Sequence, residues 1–273
     1  GTNNSAVGRS SLAANTTGVE LTALGTNSLA LSTTGSYNTA LGSSALLSNT
    51  TASNNTAVGY QALYDNTTGT HNVALGKQAA FNISTGQKNV AIGSENLYTA
   101  TTASSNVAVG YNSLFGTTTG SYNVGIGEGS LQSNTTASNN TGVGYNALTA
   151  NTTGAENVAV GINALSTNQE GSRMVAIGRS ALGSYNPSSA TNAYNVAVGY
   201  DALTSTSTGT NNTAVGGLAL RLNTTGQQNT AYGSLALDAN ITGNNNTAIG
   251  YNALTNYTSS NNTAVGWRAM NDT

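Results

Sequence analysis

The chain has no cysteine, one proline and one histidine in 273 residues. Without cysteine, neither a disulfide framework nor a thiolate metal site can form. With no second histidine and no carboxylate cluster beside it, His71 is a loop residue rather than a metal ligand or a base. Charge is almost as scarce, with seven basic and nine acidic side chains and a net charge of −2. That leaves no basic patch to neutralise phosphates, so no nucleic-acid partner is expected. The scattered carboxylates form no evident acid pair for glycoside cleavage, and the aspartate-rich repeats of calcium-binding β-rolls are missing. No stretch approaches the roughly 20 apolar residues of a membrane span. These absences predict a protein that is not an enzyme, with no catalytic residue, cofactor or metal. Solubility has to come from Asn, Thr, Ser and Gly.

What the chain does have is one short sentence repeated sixteen times. Aligned on a glycine, it reads Asn-Thr/Val-Ala-Val/Ile-Gly-x-x-Ala-Leu-x-x-Asn-Thr-Thr-Gly-x-x. The glycine recurs mostly every 17 residues, with one step of 21 (Gly178 to Gly199) and one of 16 (Gly250 to Gly266). A fixed short period in a long chain means a solenoid whose coils pack on their neighbours. Low complexity alone could mean disorder, but disordered tracts do not keep a leucine in register over sixteen copies. The expectation is a single continuous repeat domain over 1–273. The first residues already lie inside the repeat and the last copy stops part-way. The chain therefore reads as a segment of a longer fibre protein, without a signal peptide of its own.

Positions within the repeat are numbered here from the Thr or Val that opens Thr-Ala-Val-Gly. Column 8 is Leu in fourteen copies, among them Leu63, Leu97, Leu114, Leu148, Leu165 and Leu203, with Ala80 and Met270 as exceptions. Column 3 is Val, Ile or Leu except at Tyr232. Columns 3 and 8 are the expected core, with column 1 beside column 3 on the inward face. Column 2 is Ala, or Gly at Gly125 and Gly142, and by strand alternation faces the other way. Its invariant smallness predicts close approach of another backbone, from the same coil or from a second chain. Ala57, Ala74, Ala91 and Ala108 are thus candidate interface residues.

Column 4 is glycine throughout, including Gly59, Gly76, Gly93, Gly110, Gly161 and Gly199. It predicts a turn with positive φ or no room for Cβ. A glycine-rich phosphate cradle occurs once, between a strand and a helix, and sixteen evenly spaced glycines do not fit it. Column 17 is Asn in thirteen of fifteen complete copies, with Leu21 and Met174 as exceptions. Asn55, Asn72, Asn89, Asn106 and Asn123 predict an amide ladder along the axis. Several copies also spell an Asn-x-Thr acceptor for glycosylation, as at Asn54-Asn55-Thr56.

The remaining Asn-Thr-Thr-Gly-x-x reads as a variable outer loop, and it holds the four-residue insertion around Tyr185-Asn186-Pro187-Ser188. The pattern predicts a short strand over columns 17 to 3, a glycine turn, a second short strand over columns 7 to 9 and a returning loop. That is an all-β parallel solenoid, a β-roll of about sixteen coils. Helix is disfavoured because Gly and Thr interrupt any 3.6-residue period. Each coil buries little apolar surface for the residues it orders, so a second buried surface, and hence an oligomer, is expected.

Asn89-Val90-Ala91-Ile92-Gly93 and Met174-Val175-Ala176-Ile177-Gly178 resemble the head repeat of trimeric autotransporter adhesins. The longer form Asn55-Thr56-Ala57-Val58-Gly59-Tyr60-Gln61-Ala62-Leu63 also looks like repeats of phage tail-fibre and bacterial surface proteins. The resemblance runs over essentially the whole chain. It implies a left-handed parallel β-roll, three chains side by side, and an adhesive or structural role outside the cell, on a bacterial surface or a virion tail. It carries over no catalytic residue.

The function expected is a structural or adhesive fibre segment, a shaft or head. Its partner is itself as a homotrimer, with a cell-surface glycan or protein as receptor and no membrane insertion in this segment. Tyr60, Tyr111, Tyr145, Tyr200 and Tyr251 share column 5 with Trp267 and are candidate binding residues for carbohydrate, although the favoured reading is that they cover the turn and pack on each other. The loops around Tyr64, Tyr98, Tyr185 and Tyr257 are further candidate contact points. The alternative is an ice-binding β-solenoid, since Thr-Thr recurs as in Thr16-Thr17, Thr67-Thr68 and Thr152-Thr153. A polysaccharide-cleaving fibre enzyme ranks last for want of an acid pair.

Overall fold

A computed structural model of the chain describes residues 1–271. It is a parallel β-solenoid of about fifteen to sixteen coils of ~17 residues, with no helix among the described residues. Two compact units are present, Gly1–Ser138 and Asn139–Thr273. In the first, eight three-residue strands run from Ser5–Val7 to Val124–Ile126 in sequence order. Each is parallel to the next and in strict register, so that Ala57, Ala74, Ala91 and Ala108 lie opposite one another. The second contains eight such strands, from Thr141–Val143 to Thr263–Val265. It adds a small parallel pair, Gly171–Ser172 with Thr191–Asn192.

Each coil has three hydrogen-bonded sides. On the strand side, column 1 donates to the column 17 carbonyl that closes its own repeat and leads into the next strand, as Val73 N–H does to Asn89 O at 2.8 Å. Column 4 donates back to column 3 of the preceding coil, as Gly76 N–H does to Val58 O at 2.8 Å. The glycines of column 4 hold φ between +122° and +142°. They also leave no space, since a Cβ on Gly161 would stand 2.6 Å from the carbonyl oxygen of Gly178. Both reasons for glycine therefore apply at once.

The second side corrects the expected strand over columns 7 to 9. No strand forms there, because the backbone switches to the left-handed region at columns 6 and 8, with φ +55° at Gln61 and +50° at Leu63. Each reversal turns the peptide groups toward the neighbouring coils. Gln78 N–H donates to Tyr60 O at 2.8 Å, Leu63 N–H to Ala79 O at 3.0 Å, and Asp65 N–H to Phe81 O at 3.0 Å. Every column 8 residue from Leu12 to Met270 is left-handed. That conformation is unfavourable by roughly 1–2 kcal/mol for an L-residue with a Cβ. The coil offsets it by burying the leucine side chain and completing the ladder.

The third side spans columns 12 to 16, which the sequence suggests is a loose loop. Here too the ladder is continuous, for example from Thr67 N–H to Ser84 O at 3.0 Å and from Lys88 N–H to Thr70 O at 3.0 Å.

The inside of the coil is lined by columns 2, 7, 8, 11, 14 and 17. This reverses the expected placement of the strand side chains. Ala57, Ala74, Ala91 and Ala108 are completely buried within their own chain, so they are interior residues and not an interface. Columns 1 and 3 point outward instead. The reason is the narrow interior. A Cβ placed on Gly125 would meet Leu114 Cγ at 3.2 Å and Ser113 Oγ at 2.5 Å. Column 2 therefore lies directly against columns 7 and 8, and a valine or isoleucine there would overpack it. Leu63, Leu97, Leu114, Leu148, Leu165 and Leu203 do form the core, all fully buried. The described residues enclose no cavity.

Candidate interaction surfaces

Two columns of asparagine stitch the interior. At column 17, Asn72 N–H donates to Asn55 Oδ1 at 2.9 Å, and the same bond links Asn89 to Asn72, Asn106 to Asn89 and Asn123 to Asn106 at 2.9–3.0 Å. Each Nδ2 then crosses to the column 14 carbonyl of the following coil, as from Asn89 to Ala103 O at 2.8 Å and from Asn106 to Gly120 O at 3.0 Å. Direct amide-to-amide contacts add to this, at 3.1 Å from Asn89 Nδ2 to Asn72 Oδ1. The main link is thus side-chain oxygen to main-chain N–H, and all five asparagines are buried.

The second column, column 11, was hidden in what reads as loop sequence. Asn66 Nδ2 donates to Asn49 Oδ1 at 3.1 Å and to Gly69 O at 3.0 Å. Asn168 and Asn240 repeat this on Asn151 and Asn223. The clue available in the sequence is column 14, which alternates only between Gly and Ala from Gly18 to Ala137, the same smallness that marks column 2.

In the lengthened coil and just before it, larger side chains replace the asparagines. Met174 takes column 17 and Tyr185 takes column 11 of the lengthened coil, and both are buried. Gly171 makes the room, since a Cβ there would meet Tyr185 Cε1 at 2.6 Å and Met174 Cε at 3.0 Å. Tyr185 is therefore no contact residue, contrary to its reading as an exposed loop. Pro187 also turns inward, and the bulge is exposed at Ser188–Ala190. The Tyr185 hydroxyl has no hydrogen-bond partner, and burial pushes its pKa up to about 12. A phenol whose folded-state pKa is raised contributes stability below its ordinary value near 10, and this is lost as pH rises toward 12. Tyr185→Phe is accordingly expected to melt close to wild type at pH 8 and above it between pH 10 and 12. Melting curves of the two proteins across that range check this.

On the outside, Tyr64, Phe81, Tyr98 and Phe115 occupy column 9 of four consecutive coils. Their rings stack at centroid distances of 4.9, 5.2 and 5.3 Å, within 11° of parallel. The faces of neighbouring rings cover one another, leaving only edges for solvent, so this ladder works as packing rather than as a sugar platform. Tyr257 is half-buried. Tyr60, Tyr111, Tyr145, Tyr200 and Tyr251 are all about half exposed on column 5. They stand at least one coil apart, and Tyr200 is covered by Arg179, which lies 5.4 Å from its ring centre and donates to its hydroxyl at 3.0 Å.

His71 is exposed, with Nδ1 3.1 Å from Thr70 Oγ1. Among the described residues no three His, Asp or Glu side chains converge. The ion pairs Lys77–Glu95, Arg173–Glu156 and Arg221–Asp238 each bridge successive coils at 2.9–3.0 Å.

The broadest feature is the outer face of the strand side. Column 3 presents Leu75, Ile92, Val109 and Ile126 in the first unit, and Val160, Ile177, Val198 and Ile249 in the second. Leu75, Ile92, Ile126, Ile177 and Ile249 are 37–45% exposed. Beside them column 1 presents Val73, Val90, Val107 and Val124, then Val158, Val175 and Val196, with Thr at most other copies. Eight strands about 4.8 Å apart and three residues wide make a face of roughly 400 Å² in each unit. The column 3 residues and the column 1 valines make the apolar part of that face, interrupted by Ser5 and the column 1 threonines, and the largest apolar patch on a protein surface is often functional. Compared with known protein families and with curated proteins, the chain matches none.

Proposed function

We propose that the chain is a structural or adhesive fibre segment outside the cell, of the kind found in phage tail fibres and bacterial surface adhesins, and that its copies associate side by side as homotrimers. The observation that supports this reading is the outward Val, Ile and Leu of columns 1 and 3. Such side chains are wasted on a solvated sheet face and useful against an identical face on another copy. A cyclic homo-oligomer repeats one patch around its axis, and a coil-by-coil register gives the same patch at every level. The repeat's likeness to trimeric adhesin heads favours three chains. A cell-surface glycan or protein is the expected receptor for the fibre.

Light scattering on the purified chain at micromolar concentration tests this. The expected mass is three times 27.2 kDa. Val90→Lys combined with Ile92→Lys, which puts charge on the face without touching the interior, is expected to bring the mass down to one chain. A wild-type mass of 27.2 kDa would refute the association.

A further inference from the structure

The third side of the first unit carries a second surface, separate from the strand side. Column 13 is threonine in all eight coils, at Thr17, Thr34, Thr51, Thr68, Thr85, Thr102, Thr119 and Thr136, and every one is exposed. Among the described residues, none of these eight hydroxyls bonds to the chain. The neighbouring column 12 fixes them in place. Thr16, Thr33, Thr50, Thr67, Ser84, Thr101 and Thr118 each donate a hydroxyl to the column 12 carbonyl of the next coil, at 2.9–3.4 Å. Their main-chain N–H groups bond the same carbonyls. Column 15 adds serines whose hydroxyls accept from the preceding coil, as Ser121 Oγ does from Ser104 N–H at 3.0 Å.

The composition of this side is as regular as its geometry. Columns 12 to 15 of the first unit hold Thr, Ser, Gly and Ala, with Val19 and Gln87 as the exceptions. All seven charges of the unit fall elsewhere: Arg9, Lys77 and Glu128 at column 5, Glu95 at column 6, Asp65 at column 10, Glu20 and Lys88 at column 16. Its aromatic rings likewise lie on columns 5, 9 and 16. In the second unit Glu170 stands in column 13 and the lengthened coil follows it, so the array is interrupted there.

We propose that this threonine side of residues 1–138 binds the surface of ice. A row of identical hydroxyl and methyl groups at the coil spacing of about 4.8 Å, with no cleft and no charge in columns 12 to 15, fits a ligand that is itself a repeating lattice. β-Branched side chains on a fixed backbone lose little rotamer freedom on binding, so the array is pre-organised. Charged groups would hold their own hydration shells against an ordered water layer, and columns 12 to 15 carry none; Glu20 and Lys88 stand at the edge of this side, at column 16. A crystalline polysaccharide would call for a row of aromatic faces, and columns 12 to 15 offer none, while Tyr37 and Tyr122 at column 16 stand five coils apart.

The test is freezing-point hysteresis and ice-crystal shaping by the full chain at millimolar concentration. The wild type is expected to show both. Thr68→Lys, Thr85→Lys and Thr102→Lys combined are expected to abolish them with an unchanged melting temperature, since these side chains are exposed and unbonded. Tyr60→Lys, on another side of the coil, is expected to retain them. The single variant Thr85→Lys serves should the triple one fold poorly. The proposal is overturned by a wild type without hysteresis, by hysteresis that survives the threonine substitutions in folded protein, or by threonine-dependent pull-down on cellulose or chitin without any effect on ice.

Discussion

Gly161→Val is expected to destabilise the second unit by more than about 3 kcal/mol, in the far tail of single-substitution effects. Two independent causes act at this position. The backbone sits at φ +134°, a region open to glycine and strained for other residues, and a Cβ would lie 2.6 Å from Gly178 O and 2.7 Å from Gly178 C. The obstacle is main chain of the next coil, so no side-chain rotation relieves it. Coils support only their neighbours, so hydrogen exchange should localise the damage to the coils on either side of Gly161. Gly217→Val supplies the contrast. Gly217 is one residue past the column 4 glycine Gly216, its φ lies outside the strained range, and its nearest Cβ contact is Ser234 Oγ at 4.0 Å. Its melting temperature should stay near wild type. Equal damage from both substitutions would show that the glycine column has been misread.

The second large effect is expected from Asn106→Leu, at about 2–5 kcal/mol. Asn106 Oδ1 accepts the main-chain N–H of Asn123 at 2.9 Å, and Nδ2 donates to Gly120 O at 3.0 Å and to Asn89 Oδ1 at 3.2 Å. Leucine removes the acceptor and the donor together. It leaves a buried N–H and a buried carbonyl unpaired, at roughly 1–3 kcal/mol each. The chain contains natural versions of this lesion. After Leu21 and Met174, the N–H groups of Asn38 and Asn195 find no side-chain oxygen on the coil before. At Met174, Tyr185 packs in beside Gly171, whereas Leu21 keeps Asn15 at column 11 of its coil. Urea unfolding of the full chain measures the effect, and a change below about 0.5 kcal/mol, the ordinary range for surface substitutions, would contradict the ladder's role.

The repeat, the parallel stacking, the glycine turn and the leucine core were all readable in the sequence, because column 4 admits only glycine and column 8 departs from leucine only at Ala80 and Met270. Which way the strand faces was not. Val, Ile and Leu at columns 1 and 3 suggest burial, while Ala at column 2 is compatible with either side. The outcome depends on the width of the coil interior, and that width follows from the left-handed residues at columns 6 and 8. Nothing in Gln61 or Leu63 announces a positive φ, since such residues adopt it only when the rest of the coil imposes it. The same blind spot turned columns 12 to 16 into a loop. Asn, Thr and Gly are loop formers in isolation, and they become a wall only when each hydroxyl and amide meets its copy one coil away.

In the proposed homotrimer, copies of this chain meet through the outward residues of the strand side, with alanine column 2 inside each copy. Because the chain has no native cysteine, single cysteines at Leu75, Ile92 and Val109, compared with Ala74, Ala91 and Ala108, test this directly by oxidation to interchain disulfides. Bond formation requires Cβ atoms within about 3.5–4.5 Å of each other. The account predicts covalent dimers from the column 3 cysteines and none from the column 2 cysteines in folded protein. Crosslinking from column 2, or none from any column 3 position, would contradict it.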